Sequence, residues 1–450
     1  MIRSLALVAT LLASCVPTAP ITRGAVISNL PAPRGFEGAP APSPAYPNAQ
    51  AARDFMDLSF ALETGRKLPL FTRFEGPVTI AIEKVDGAEP PATLEPDLDA
   101  LIVRLRKEAK IDIRRSTGGE TPSILVSALP RAKLQRFVPG AACFVVPRVT
   151  GWRDYLAKRL TPDLDWATLK TRKRASVFLP TDVSPQEIRD CLHEEVAQAL
   201  GPLNDLYRLE HSVFNDDNVH VVLTDRDMTI LRATYDPALK SGMTPAQVAE
   251  RLPSILHRGN PRGRLPDGGA RPPSSPEWVL ALRGALTPRG TPRNRLASAR
   301  EAVRVADAEG WKDERLAFSL LALGRAALSV DGQAAIAAFF DAGATYRSLQ
   351  GEGVHSAQVD LQLAAFALSS GEAASALRLA DRAIPAAADA QNAILLSTLL
   401  LIRAEALKAL GKPETAKAVH TEGLAFGRYA WGDRVLSLRV REVAALAPGA

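Results

Sequence analysis

Apolar positions follow two different rhythms along this chain. Between residues 54 and 258 short β-branched or apolar runs predict strands at 78–82, 111–113, 123–126, 142–146 and 175–179. Residues 94–107 carry leucines and Val103 at helical spacing, so a helix separates the first strand from the others. The last element of this region is well marked. Ser184 can cap a helix, Pro185 suits its first turn, and Glu187 stands where a capping box needs it. The helix is expected to run through Gln198 and to stop at Gly201-Pro202. The order strand, helix, several strands, helix predicts an α+β domain.

The stretch 259–274 reads GNPRGRLPDGGARPPS, which cannot sustain regular structure and predicts a domain boundary. From residue 275 the pattern becomes helical, rich in Ala and Leu. Gly332, Gly371 and Gly411 recur at about 40 residues, each followed five positions later by a small residue, Ala337, Ala376 and Ala416. Residues 393–410 and 414–426 flank Gly411-Lys412-Pro413 as two helices and a turn, and 278–286 with 295–308 suggests an earlier hairpin. This half resembles degenerate tetratricopeptide repeats, which implies an all-α helical-repeat domain. Such a stack binds a peptide or partner domain, or else merely packs on the first domain.

The amino terminus sets the expected compartment. Met1-Ile2-Arg3 precedes a short apolar run over 5–12, and Leu12-Ala13-Ser14-Cys15 matches the lipobox of bacterial lipoproteins in full. The expectation is a signal peptide over 1–14 and a palmitate-type acyl anchor on Cys15. The alternative is a plain signal peptide in which Cys15 is incidental. Residues 15–50, rich in Pro and Ala, read as a tether. Val16 is not the aspartate associated with retention at the inner membrane, so the expected location is the periplasmic face of the outer membrane. A disulfide between Cys143 and Cys191, rather than two buried thiols, is expected in an oxidising compartment. The net charge of +6 is spread among acidic residues and carries no nucleic-acid signature.

Residues 191–205 hold the one chemical motif, CLHEEVAQALGPLND. Glu194-Glu195-x-x-Gln198-x-x-Gly201-x-x-Asn204-Asp205 resembles the metzincin zinc-protease pattern HExxHxxGxxHD with every histidine replaced. Ser212-Val213-Phe214 then stands where that class has its methionine turn, with Phe214 in the methionine's place. Leu223-Thr224-x-x-Asp227, with Leu231 and Tyr235-Asp236, follows in the style of its last helix. Thr224 and Asp227 also make a capping pair without any family argument. The block from Val177 to Gly242-Met243 more closely resembles an uncharacterised bacterial family, domain of unknown function 2927, which implies a fold and a compartment but no activity.

Positions i and i+4 share a helix face, so two histidines there grip one zinc beside a glutamate base. Here the ligand places hold Glu194, Gln198 and Asn204, and the base place holds Glu195. One carboxylate and two carboxamides are hard, weak donors, unsuited to zinc. Calcium could accept Glu194, Gln198, Asn204 and Asp205, with Asp216 or Asp217 adding charge, yet no dedicated calcium loop is present. The simpler expectation is a polar cluster without metal or cofactor. His193 has no ligand partner at Ala197; His211 and His220 read as surface or capping residues, and 215–218 as a turn. The expected protein is an envelope lipoprotein whose degenerate protease-like domain (51–258), linker (259–274) and helical module (275–450) bind or scaffold an envelope protein or peptide. The alternative is a hydrolase using Glu195 as general base with an unusual metal at Glu194, Gln198 and Asn204.

Overall fold

A computed structural model describes residues 30–448 except residue 289, so the expected signal peptide and the expected lipidation site Cys15 lie outside the described residues. The described residues form two compact units, one of residues 37–272 and one of residues 273–448 together with 30–36. Among the described residues no helix is long and apolar enough to cross a membrane.

The first unit is built on five strands, β1 (Val78–Lys84), β2 (Ile113–Arg115), β3 (Ile124–Leu129), β4 (Phe144–Pro147) and β5 (Ala175–Pro180). Their order across the sheet is β2-β1-β3-β5-β4. Parallel pairing sets Val78 beside Ile113, Ile80 beside Ile124, and Ile124 beside Ala175; β4 alone runs antiparallel, with Phe144 opposite Phe178. A mostly parallel sheet buries both faces. Helices α1 (Asn48–Ser59), α2 (Leu94–Glu108), α5 (Pro185–Leu200), α6 (Asp225–Thr234) and α7 (Pro245–Gly259) share one apolar core with the strands. The short helices α3 (Arg131–Gln135) and α4 (Trp152–Lys158) enclose a second, aromatic cluster in which Trp152, Tyr155 and Phe144 surround Phe178.

The sequence pattern located each of these strands to within a few residues. One local expectation is corrected: Ser184 accepts the Glu187 amide at 3.2 Å, but the Glu187 carboxylate pairs with Arg131 and does not return to the cap. Within the expected 259–274 boundary, Gly259 ends α7 and Pro261–Gly263 form a single helical turn, whereas residues 264–274 carry no helix or strand. They are nevertheless held, because Asp267 pairs with Arg53 of α1 at 2.6 Å.

The second unit runs from α8 (Pro276–Leu286) through α9 (Pro292–Ala308), α10 (Glu314–Ala327), α11 (Gly332–Gln350), α12 (Val354–Ser369), α13 (Ala373–Asp389), α14 (Ala393–Ala409), α15 (Pro413–Trp431) and α16 (Asp433–Ala444). Each helix packs on the next in sequence, and α12 also meets α14, which meets α16. Helices α12 and α14 are accordingly buried around most of their circumference. Small residues permit this. A Cβ on Gly427 would stand 2.5 Å from Leu436 and 2.9 Å from the Ser397 hydroxyl. Gly371 and Gly411 are left-handed turn residues and Ala376 and Ala416 are fully buried. The expected first mark differs, since Gly332 opens α11 as a helical residue and Ala337 is exposed, with Ala335 and Ala338 buried in its stead. Residues 30–36, expected within the tether, lie against α15: the Arg34 amide donates to Ala425 at 2.9 Å, and Phe36 stacks on Phe426.

Candidate functional site

Helix α5 carries the degenerate motif, and its far end is closed. The Arg172 guanidinium, fully buried, donates to the carbonyls of Gln198, Ala199 and Gly201 at 2.5 to 2.8 Å, and the Tyr235 hydroxyl donates to Leu200 at 3.1 Å. These are the unpaired acceptors at the negative end of the helix dipole, where a cation is favoured. Burial lowers the Arg172 pKa to about 10, so it stays charged at neutral pH. Gly201 is required by packing, since a Cβ there would come within 2.8 Å of the Thr234 methyl.

Beyond Gly201 the chain is fastened to α1. Leu203 donates to Leu58 at 2.8 Å, the Asn204 side-chain amide donates to the Asp57 carbonyl at 3.0 Å, and Arg208 pairs with Asp54 and Asp57. Asn204 is thus turned to α1. Gln198 instead donates to Asp205 at 3.2 Å. Around that pair stand further carboxyl groups. Glu195 is 5 % exposed, and its Oε2, like the buried Oδ1 of Asp205, meets no donor.

Burial first, and then the charges of Asp205, Glu63 and Asp190, push the Glu195 carboxyl well above its ordinary range. Glu194 is raised by burial and by Glu195, Asp190, Glu63 and Asp216. Asp205 is raised by burial, by Glu194 and Glu63, and by a hydrogen bond shared with Glu63. Asp190 is pushed up to about 7, again chiefly by burial. Asp190, Glu194, Glu195 and Asp205 thus form a cluster of acids in which burial and mutual repulsion favour the protonated form. Glu63 and Asp190 had no signal in the motif: one is distant in sequence, and the other precedes the pattern.

The remaining motif residues form the floor. Phe214 is fully buried and its carbonyl accepts from Leu206 at 2.8 Å. Asp227 joins this turn to α6, accepting from the Ser212 hydroxyl at 2.5 Å, from Val213 at 3.1 Å and from Thr224 at 2.8 Å. The Thr224 and Asp227 capping box forms as the sequence predicts. His193 is buried and accepts the Leu223 amide on Nδ1 at 3.2 Å, and burial with nearby Arg189 and Arg104 keeps it neutral. The expectation for His211 and His220 is corrected: both are buried, their rings 5.6 Å apart, because the loop after α5 folds inward instead of over the surface. Residues 215–218 do form a turn, with Asn215 accepting from Asp217 at 3.3 Å and Asn218 left-handed.

Cys143 and Cys191 are disulfide-bonded, with Cα atoms 5.9 Å apart, and so fix the segment leading into β4 against α5. Among the described residues no group of three or more His, Cys, Asp or Glu side chains is placed to hold a metal ion. The side-chain NH2 groups of Gln198 and Asn204 are engaged with Asp205 and with α1.

No curated protein and no solved structure matches the chain. Residues 48–254, most of the first unit, match the model of the family described as Protein of unknown function (DUF2927), so this unit carries a domain of unknown function.

Proposed function

We propose that this is an envelope lipoprotein, anchored through Cys15 at the periplasmic face of the outer membrane, whose first unit is a metzincin-like shell without zinc that binds an extended peptide. One observation carries the reading: β4 is an edge strand with a free side, clamped by Cys143–Cys191 onto the helix that bears the carboxyl cluster. The Arg148 amide donates to Arg174, so in the antiparallel ladder residues 144, 146 and 148 face β5. Val145 therefore presents its N–H and C=O outward, where a peptide can add as a further strand. Glu195 retains the place of a protease base, but it is a buried acid with no metal ligand set beside it, and this favours binding over the hydrolase alternative. The helical unit, in the manner of tetratricopeptide-like repeats, supplies a second binding surface for a partner protein.

The test is a scan of immobilised peptides with the full chain and its Val145→Pro variant. Proline removes the outward N–H and is tolerated on a sheet edge. The reading predicts captured, uncleaved peptides that the variant no longer holds; capture unaffected by the substitution, or cleavage of the peptides, contradicts it.

A further inference from the structure

The run Lys170-Thr171-Arg172-Lys173-Arg174 leads into β5 and divides by burial. Arg172 points inward to close α5, while Lys170, Lys173 and Arg174 are exposed. Those three join Arg148 in a cavity of about 800 Å³ lined by no carboxylate. The sheet explains the convergence. Ser123 stands just before β3 and Arg174 just before β5, two parallel neighbours, while Arg148 follows β4, which runs the opposite way. Every basic group is thus delivered to the same end of the sheet.

Arg148 is held in place, not free. Its backbone is left-handed, with φ of 60°, a conformation uncommon outside glycine. Its guanidinium donates to the Thr168 hydroxyl at 2.7 Å, the Thr168 carbonyl at 2.9 Å and the Asp163 carbonyl at 3.3 Å. All three partners are neutral oxygens, so they orient the charge without cancelling it. The nearby carboxylate of Asp165 is engaged by Arg66 at 2.8 Å. Among the described residues no hydrogen bond or ion pair occupies the side chains of Lys170, Lys173 or Arg174. Four like charges around one cavity repel each other, and a strained, buttressed arginine among them marks a site shaped for a ligand.

We infer that this cavity binds a phosphate-bearing anion through Arg148, Lys170, Lys173 and Arg174. Guanidinium groups match the tetrahedral oxygens of phosphate in paired hydrogen bonds, lysines add mobile charge, and the hydroxyls of Ser123 and Thr168 border the same space. Four converging positive charges favour a phosphate-bearing anion of one or more negative charges. Such a group comes either from a soluble phosphorylated molecule or from an anionic lipid headgroup.

The experiment titrates the full chain with inorganic pyrophosphate by calorimetry, and in parallel sediments it with phosphatidylcholine vesicles prepared with and without phosphatidylglycerol. The comparison protein is Lys173→Glu/Arg174→Glu, which brings the four positive charges to a net of zero; Lys170→Glu serves as an independent variant. All three side chains are exposed, so both variants should retain the circular dichroism of the parent. Pyrophosphate binding weakened about tenfold or more in the variants supports a soluble ligand. Retention that depends on phosphatidylglycerol and is lost in the variants supports a headgroup. Absence of binding in both arms, or binding indifferent to the substitutions, overturns the inference.

Discussion

Replacing Glu195 by glutamine should stabilise the first unit at neutral pH and leave it unchanged in acid. Glu195 is buried, its Oε2 lacks a donor, and the charges around it are those of Asp205, Glu63 and Asp190. Its folded-state pKa therefore lies above the unfolded value of about 4.3. Between those two values the fold holds a proton that the unfolded chain releases, so stability falls as pH rises from about 4.3 until the folded carboxyl itself ionises, and is flat beyond. Each pH unit in that window costs about 1.4 kcal/mol per held proton. Holding that proton costs stability until the folded carboxyl ionises, and an isosteric amide avoids this cost. Hydrogen exchange in peptides from 185–200 reads this locally, which matters because two units need not unfold together. Slower exchange in Glu195→Gln at pH 7.5, with parity near pH 4.5, is the expected result. Faster exchange in the variant at both pH values would mean that Glu195 is ionised and paired, and would refute the reasoning.

Three further outcomes follow from the packing. Cys143→Ser/Cys191→Ser, which opens a loop spanning 48 residues, should lower the stability of the first unit by about 4 kcal/mol in urea titrations, as should reduction of the parent. Gly201→Ala should cost about 1–3 kcal/mol through the contact with the Thr234 methyl, and adding Thr234→Ser, which removes that methyl and keeps the hydroxyl bonded to Ile230 at 2.9 Å, should recover most of it in a double-mutant cycle. In the helical unit Asp360 is fully buried and accepts from Arg347 and from Arg382 at 2.6 Å, so Asp360→Ala should cost about 2–4 kcal/mol by thermal melting, while Arg382→Ala, removing a 40 % exposed partner, should cost far less.

Periodicity and capping residues were enough to place the elements of the first unit, because β1, β3 and β5 are buried on both faces and read as continuous apolar runs. The stop at Gly201-Pro202 was equally legible, although the reason for glycine, its approach to Thr234, is tertiary. The motif identified Glu194, Glu195, Gln198 and Asp205 but misjudged their company. Asn204 turns to α1 and Glu63 joins the acids because segments separated by more than a hundred residues meet there, while Asp190 stands one turn before Glu194 on α5 itself. The basic cavity was hidden for another reason. Net charge averaged over the chain conceals a local run, and Arg172 is set apart from its exposed neighbours by its tertiary bonds to the end of α5, not by any spacing in the run. In the helical unit the spacing of glycines was readable, yet the first mark was misplaced, since a glycine can open a helix as well as end one.

The central claim is that oxygen-donor side chains have displaced zinc chemistry from the α5 site. Elemental analysis of the purified full chain after exposure to zinc tests it most directly. The account predicts zinc well below one atom per chain and no difference between the parent and Glu194→Ala. One tightly held zinc per chain, lost on that substitution, would contradict it.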